Sequence, residues 1–224
     1  YNKITIIAAR LQKQVKIQYI CYNKQTKLKK ESSVKMKKFT VCFILLSFCL
    51  TPSYASYEGY KSYLGGLLAL KKGDIETTLK EYENVIIHDS TAISAYKDLA
   101  LIYWQKGNGK KALETAKKIE ELDGDSVKTN MFLGTFYLSA NEMDLAKKCW
   151  EKVLELDPKN ETATVYLAAY YYSDNKLKES ADYWTKFLQQ KPESSEGYFQ
   201  LGLVQEKLGL LEEALKSYKK VNEL

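Results

Sequence analysis

The sequence is poor in the residues that build reactive centres. It contains one histidine, His88, and four cysteines, of which only Cys149 lies beyond residue 49. A histidine without partners cannot assemble a histidine-rich metal site or a catalytic triad, and the spacings typical of phosphate loops, zinc sites and activated serines are missing. The sequence therefore predicts no catalytic residue, no metal site and no cofactor, and we expect the protein not to be an enzyme.

Apolar segments long enough to span a bilayer are also missing. The apolar run 39–50 has twelve residues, whereas a transmembrane helix needs about twenty. It follows Met36-Lys37-Lys38 and precedes the small residues Ser53 and Ala55, an order typical of a bacterial secretory signal. We expect residues 36–55 to be a signal peptide that is cleaved after Ala55. The protein would then be periplasmic or secreted without a transmembrane anchor; a permanent signal anchor is the alternative.

Residues 1–35 differ from the rest of the chain. They begin with Tyr1, hold nine Lys or Arg against one acidic residue, and show no repeat. Since a signal sequence acts at the true N-terminus, we interpret them as a disordered upstream extension, with Met36 as the initiator. A genuine basic cytoplasmic tail on a signal anchor is the alternative.

Removing residues 1–55 reverses the sign of the net charge. The whole sequence has 34 basic and 28 acidic residues, and residues 1–55 hold 11 basic and one acidic residue, which leaves 23 against 27. Nucleic-acid binding needs a concentrated basic face on the folded domain. The sequence therefore predicts no nucleic-acid partner.

From Gly59 onward the sequence repeats with a period of 34 residues. A period of this length is typical of stacked helical hairpins. No gap is needed to align the units, and the last one stops four residues short. Within residues 56–224 we place five units, at 59–92, 93–126, 127–160, 161–194 and 195–224.

Two positions of the repeat are always occupied by small residues. The eighth position is Gly or Ala in every unit, and the twentieth is Ala, Ser or Thr. Because two helices approach closely only where the facing side chains are short, these positions predict the crossing point within each hairpin. The fifteenth position is always Gly or Asn, the residues that tolerate a left-handed backbone in a short turn. One apolar stripe closes each hairpin and another is expected to be covered by the next hairpin.

These residues resemble the tetratricopeptide repeat family. The best match is the third unit, with Leu133-Gly134, Tyr137, Asn141, Trp150 and Leu156-Asp157-Pro158 at the positions of the family pattern, together with Ala146. The resemblance extends over residues 59–224. It implies an all-α fold, a right-handed α-solenoid of about five stacked hairpins, and binding of peptides or other proteins in place of catalysis.

The resemblance also implies where a partner would bind. In such a stack the first helices of successive hairpins line a concave groove, and their second, fifth, ninth and twelfth positions face the ligand. In this sequence the expected partner-binding residues are mostly apolar or aromatic: Tyr60, Tyr63, Leu67, Lys97, Leu101, Trp104, Met131, Thr135, Leu138, Val165, Tyr172, Phe199 and Leu203. Some family members hold a carboxylate with Lys at the fifth position and Asn at the ninth. In the second unit Lys97 occupies the fifth position but Leu101 occupies the ninth, so that clamp is not expected.

The sequence thus favours a non-enzymatic scaffold of the bacterial cell envelope that binds a peptide or helix of a partner protein. An alternative is a docking or regulatory segment of a longer envelope enzyme. The last hairpin has no polar capping helix after it, and an exposed apolar end is prone to association. If the reading frame stops at Leu224, we expect the last repeat to be covered by forming a homodimer.

Overall fold

The computed structural model describes residues 57–224. The predictions for residues 1–35 and for the signal peptide over 36–55 lie outside this range. Every regular element within it is a helix, and each helix packs mainly against its neighbours in the chain. In chain order the helices are α1 (57–71), α2 (Ile75–His88), α3 (Ile93–Gln105), α4 (Gly109–Asp123), α5 (Val127–Ser139), α6 (Met143–Leu156), α7 (Glu161–Ser173), α8 (Leu177–Gln190), α9 (Ser195–Lys207) and α10 (Leu211–Glu223).

The turn inside each hairpin depends on one left-handed residue. The fifteenth position of the repeat has a positive φ in all five units, between 57° and 78°. Asn141 and Asn175 are the non-glycine residues that adopt this conformation, consistent with the tolerance of asparagine for it. The predicted turns are confirmed.

Side chains cap the starts of many helices. The Asp74 carboxylate accepts a hydrogen bond from the backbone N–H of Thr77 at the start of α2, and the Asn160 side chain accepts one from Ala163 at the start of α7. Such caps satisfy backbone donors that have no partner within the helix, and each contributes about 1 kcal/mol. The starts of the capped helices are thus fixed locally by short polar residues.

The two helices of each hairpin cross at the small residues. Positions eight and twenty are buried in all five units. In the fourth hairpin the Ser180 hydroxyl donates a hydrogen bond of 2.8 Å to the carbonyl of Ala168, which joins the two positions directly. Gly134 lies so close to Trp150 that an added Cβ would stand 2.3 Å from its Nε1 atom. The predicted close crossing is confirmed.

Successive hairpins are joined by an apolar core and by tyrosine hydroxyls. The Tyr103 hydroxyl donates to Glu83 of the preceding hairpin at 2.5 Å, and the Tyr170 hydroxyl donates to Asp144 at 2.9 Å. The larger cluster of buried apolar residues runs from Tyr82 to Tyr170 across hairpin boundaries. The predicted fold, an all-α solenoid of stacked hairpins, is confirmed.

Candidate functional site

The first helices of successive hairpins lie side by side. Lys97 Nζ on α3 donates a hydrogen bond of 3.0 Å to Thr129 Oγ1 on α5. Between α7 and α9, Lys207 Nζ lies 4.2 Å from the centre of the Tyr172 ring. These contacts place α3 beside α5 and α7 beside α9 on the surface formed by the first helices. We call this surface, defined by the thirteen partner-binding residues predicted from the sequence, the first-helix face.

The predicted residues fall into two groups by exposure. One group projects from the surface and the other packs partly between hairpins. The exposed residues are Tyr60, Leu67, Leu101, Thr135, Leu138 and Phe199, and the half-buried residues are Tyr63, Lys97, Trp104, Met131, Val165, Tyr172 and Leu203.

The half-buried aromatic residues also pack within and between hairpins. Tyr63 packs on Tyr82 with the ring centres 5.7 Å apart, and its pKa is raised by burial and by the charge of Asp98. Trp104 meets Phe136 of the next hairpin edge to face, with 6.4 Å between ring centres. Part of each ring therefore supports the stack, and the exposed remainder is what a ligand can contact.

Two lysines place positive charge beside aromatic rings on or next to this face. Burial lowers the pKa of Lys97, against the raising effect of Asp123, and its ammonium lies 5.3 Å from the centre of the Phe132 ring. Lys207 lies over Tyr172 in the same way. Partial burial strengthens the interaction of the Lys97 ammonium with an incoming carboxylate, whereas Lys207 is exposed and its charge is screened by water. The face is thus mainly apolar and carries two positively charged side chains. The sequence analysis predicted Lys97 as a member of this face but did not predict Lys207.

Sequence reasoning also missed a cleft between α4, α5 and α6. It has a volume of about 670 Å³ and is lined by charged residues, including Glu120, together with Tyr137 and Cys149. The twenty-eighth position of the repeat is where the sequence indicates this cleft. That position is Ile86 in the first unit and Leu in the third and fourth, but Glu in the second.

The cysteine that lines this cleft is a packing residue. Cys149 is buried, and burial together with the charge of Glu120 raises the pKa of its thiol to about 12. The thiolate, and not the thiol, is the reactive nucleophile. The neutral thiol at physiological pH therefore fits the helix-packing role predicted from the sequence.

Residues 57–224 hold no cluster of side chains suited to metal chemistry. No group of three or more His, Cys, Asp or Glu side chains in this range is arranged to hold a metal ion. His88 is exposed at the end of α2. None of the helices in this range has both the length and the apolar character needed to cross a membrane.

Comparison with known proteins identifies the repeat. The model of the tetratricopeptide repeat matches residues 127–160 and 195–224. The chain is 34% identical over 85 residues to the photosystem I assembly protein Ycf3 of Synechococcus sp. (strain CC9311). That alignment covers 37% of this chain and 49% of the relative, so the chain spans about half the length of the curated protein that it matches.

Solved structures of MamA share the fold. One has a TM-score of 0.64 at 24% identity and covers 75% of this chain and 92% of its own. A second has a TM-score of 0.60 at 26% identity, covering 70% and 92%. MamA from residue 41 to its end, from Desulfovibrio magneticus RS-1, has a TM-score of 0.61 at 18% identity, covering 75% and 94%. The chain thus contains tetratricopeptide repeats, matched at residues 127–160 and 195–224, and folds as an all-α array like that of MamA.

Proposed function

We propose that the protein is a non-enzymatic scaffold that binds a segment of another protein on the first-helix face. The observation that carries this proposal is a row of exposed apolar side chains on one surface, with Leu67 on α1, Leu101 on α3, Leu138 on α5 and Phe199 on α9. Apolar residues grouped on one face of a soluble domain mark interaction surfaces more often than residues scattered singly.

The chemistry of this face suggests the character of the partner. Exposed leucines and a phenylalanine suit an apolar extended or helical segment, which would also contact the open parts of Trp104 and Tyr172. Lys97 and Lys207 favour an acidic residue beside the apolar anchors. We therefore propose a partner segment with apolar residues at helical or strand spacing and at least one nearby carboxylate.

We place this scaffold in the bacterial cell envelope. The support is the signal-like order of residues 36–55, with its charged start, short apolar middle and small terminal residues. The similarity to a photosystem assembly protein supports a role in assembling other proteins. The intact mass of the protein recovered from the envelope fraction tests the export: the polypeptide should begin at Ser56, and a retained leader would contradict cleavage.

Site-specific photo-crosslinking tests the binding face. A photoreactive amino acid in place of Leu101 should form a discrete crosslink to a partner protein in cells. The matched control is Ile87 on α2, a more exposed apolar residue, at 74% against 46%, that lies on a second helix. Crosslinks of equal yield and identity from both positions, or none from Leu101, would contradict the proposal.

The affinity for the partner identified by crosslinking then tests the contribution of the apolar residues of the face. The substitution Leu101→Asp should weaken binding about tenfold or more, since burying a charge opposite an apolar anchor costs at least about 1.4 kcal/mol. Because Leu101 is exposed, the melting temperature should change little. Ile87→Asp introduces the same charge elsewhere and should leave the affinity unchanged.

A further inference from the structure

In each earlier hairpin, the outer side of the second helix packs against the next hairpin. In the fifth hairpin, the corresponding surface is the outer side of α10. We call this surface the terminal face, and it consists of Leu211, Glu212, Leu215, Lys219 and Asn222. In the third hairpin, the residues equivalent to Glu212 and Leu215 are Asp144 and Lys147, and both contact Tyr170 of the fourth hairpin. In the first hairpin, the residue equivalent to Lys219 is Glu83, which accepts a hydrogen bond from Tyr103.

Within residues 57–224 no other element covers the terminal face, which is apolar at its centre. Leu211 is 66% exposed and Leu215 is 55% exposed. Their counterparts in the fourth hairpin, Leu177 and Ala181, are half-buried against the core shared with the fifth. No helix within residues 57–224 packs on the outer side of α10. Among the described residues, the face thus has the form of a hairpin contact that no second hairpin occupies.

The charges of the terminal face differ from those of every preceding hairpin. The eighteenth and twenty-fifth positions of the repeat are both acidic in the first and third units and both lysine in the second, while the fourth has lysine and threonine. The fifth unit alone has opposite charges, Glu212 and Lys219. Seven residues separate them, which is about two helical turns, so they project from the same side about 10 Å apart.

This pattern is self-complementary. When two copies of α10 lie antiparallel, Glu212 of one copy meets Lys219 of the other, and the symmetry of the pair forms this contact twice. Leu215 lies between the two charges and therefore faces Leu215 of the second copy. Within residues 57–224 neither Glu212 nor Lys219 forms an ion pair, so both are free to make these contacts.

We propose that the terminal face is a two-fold symmetric interface between two copies of this chain, with the α10 helices antiparallel. A two-fold contact uses the same patch on both partners and therefore requires a self-complementary surface. Opposite charges around an apolar centre fix the register and orientation of paired helices. The first-helix face, on the other helix of each hairpin, remains available in the dimer.

Substitutions that reverse the charges of Glu212 and Lys219 test the proposal. The sample is the protein as the cell produces it. Its molar mass is measured by light scattering or sedimentation over a range of concentrations. The wild type should associate into a dimer. Glu212→Lys and Lys219→Glu, made singly, should each weaken the dimer about tenfold or more, because each brings two pairs of like charges together. The double variant Glu212→Lys with Lys219→Glu should restore the association to within about threefold of the wild type, because it returns both pairs with their signs reversed.

Glu213→Lys is the matched control. It makes the same change in net charge at an exposed residue of α10 outside the terminal face, and should leave the dimer unchanged. Three results would overturn the proposal: a monomeric wild type at all concentrations, a double variant as weak as the single variants, or equal weakening by Glu213→Lys. A terminal face covered by a different protein would produce the first of these results.

Discussion

At the scale of single residues, the eighth position of the first, third and fifth hairpins is a glycine packed closely against an aromatic ring. Gly134 faces Trp150, and the equivalent Gly66 faces Tyr82. Trp150 Nε1 is buried without a hydrogen-bond partner among the described residues. A buried polar atom without a partner costs about 1–3 kcal/mol. The packing of this large ring against glycine must offset that cost.

Gly134→Ala tests this contact. The added Cβ would stand 2.3 Å from Trp150 Nε1, so the indole or the helix must move. Overpacking of this kind costs about 1–3 kcal/mol, and we expect a lower melting temperature in circular dichroism. Gly109→Ala is the control, because its Cβ would be in ordinary contact with Trp104 at 3.4 Å. Equal melting temperatures for Gly134→Ala and the wild type would contradict the close crossing.

Much of this residue-level geometry could be predicted because it recurs. The eighth position is small in all five units, and the fifteenth is always a Gly or Asn that adopts a left-handed backbone. This recurrence reveals the close crossing and the turn, which a single unit could not. Exposure on the first-helix face was harder to predict. Whether Lys97 is free depends on Thr129, 32 residues away, and no repeat pattern specifies the partner of a side chain that changes from unit to unit.

At the scale of helices, the junction between α4 and α5 differs from the others. The cleft beside Glu120 opens where other hairpins place Ile86 or a leucine against their neighbour. A charged residue retains its hydration at such a position, so the two helices do not close over it. Polar contacts hold the junction in part, since the Asn130 side chain donates to the carbonyls of Gly124 and Ser126.

Glu120→Leu should strengthen this junction. A leucine that buries most of its side chain in the cleft would stabilise the fold by about 1–2 kcal/mol, measured as a higher midpoint in urea unfolding. Glu114→Leu on the same helix is the control, because Glu114 is exposed and does not line the cleft, and it should leave the midpoint nearly unchanged. If Glu120→Leu lowered the midpoint, the cleft would not be a packing defect between the hairpins.

The existence of the helices was easier to predict than this junction. Helical spacing of apolar residues and turn residues every 34 positions predict where the helices form. One substitution at the twenty-eighth position does not disturb that spacing, and its effect emerges only when two helices are placed side by side. Glu120 has a direct sequence signal only when the five units are compared column by column.

At the scale of the molecule, residues 57–224 are ordered by contacts between neighbouring hairpins. Two clusters of buried apolar residues run along the stack, the first from Tyr82 to Tyr170 and the second from Ala168 to Val204. Helices distant in the chain do not share a common centre. Such an array gains stability roughly as a sum of hairpin and interface contributions. The same architecture leaves one surface of each first helix open for a partner.

Deletion of one whole unit, residues 161–194, tests this account most directly. The deletion joins Asn160 to Ser195, which keeps the period of the repeat and places α9 against α6. We predict a shorter array with unchanged ellipticity per residue at 222 nm and a cooperative thermal transition at a lower temperature, because one hairpin and one interface are lost. Loss of helical ellipticity or of the cooperative transition would contradict the account, because it would show that the five hairpins form a single indivisible core.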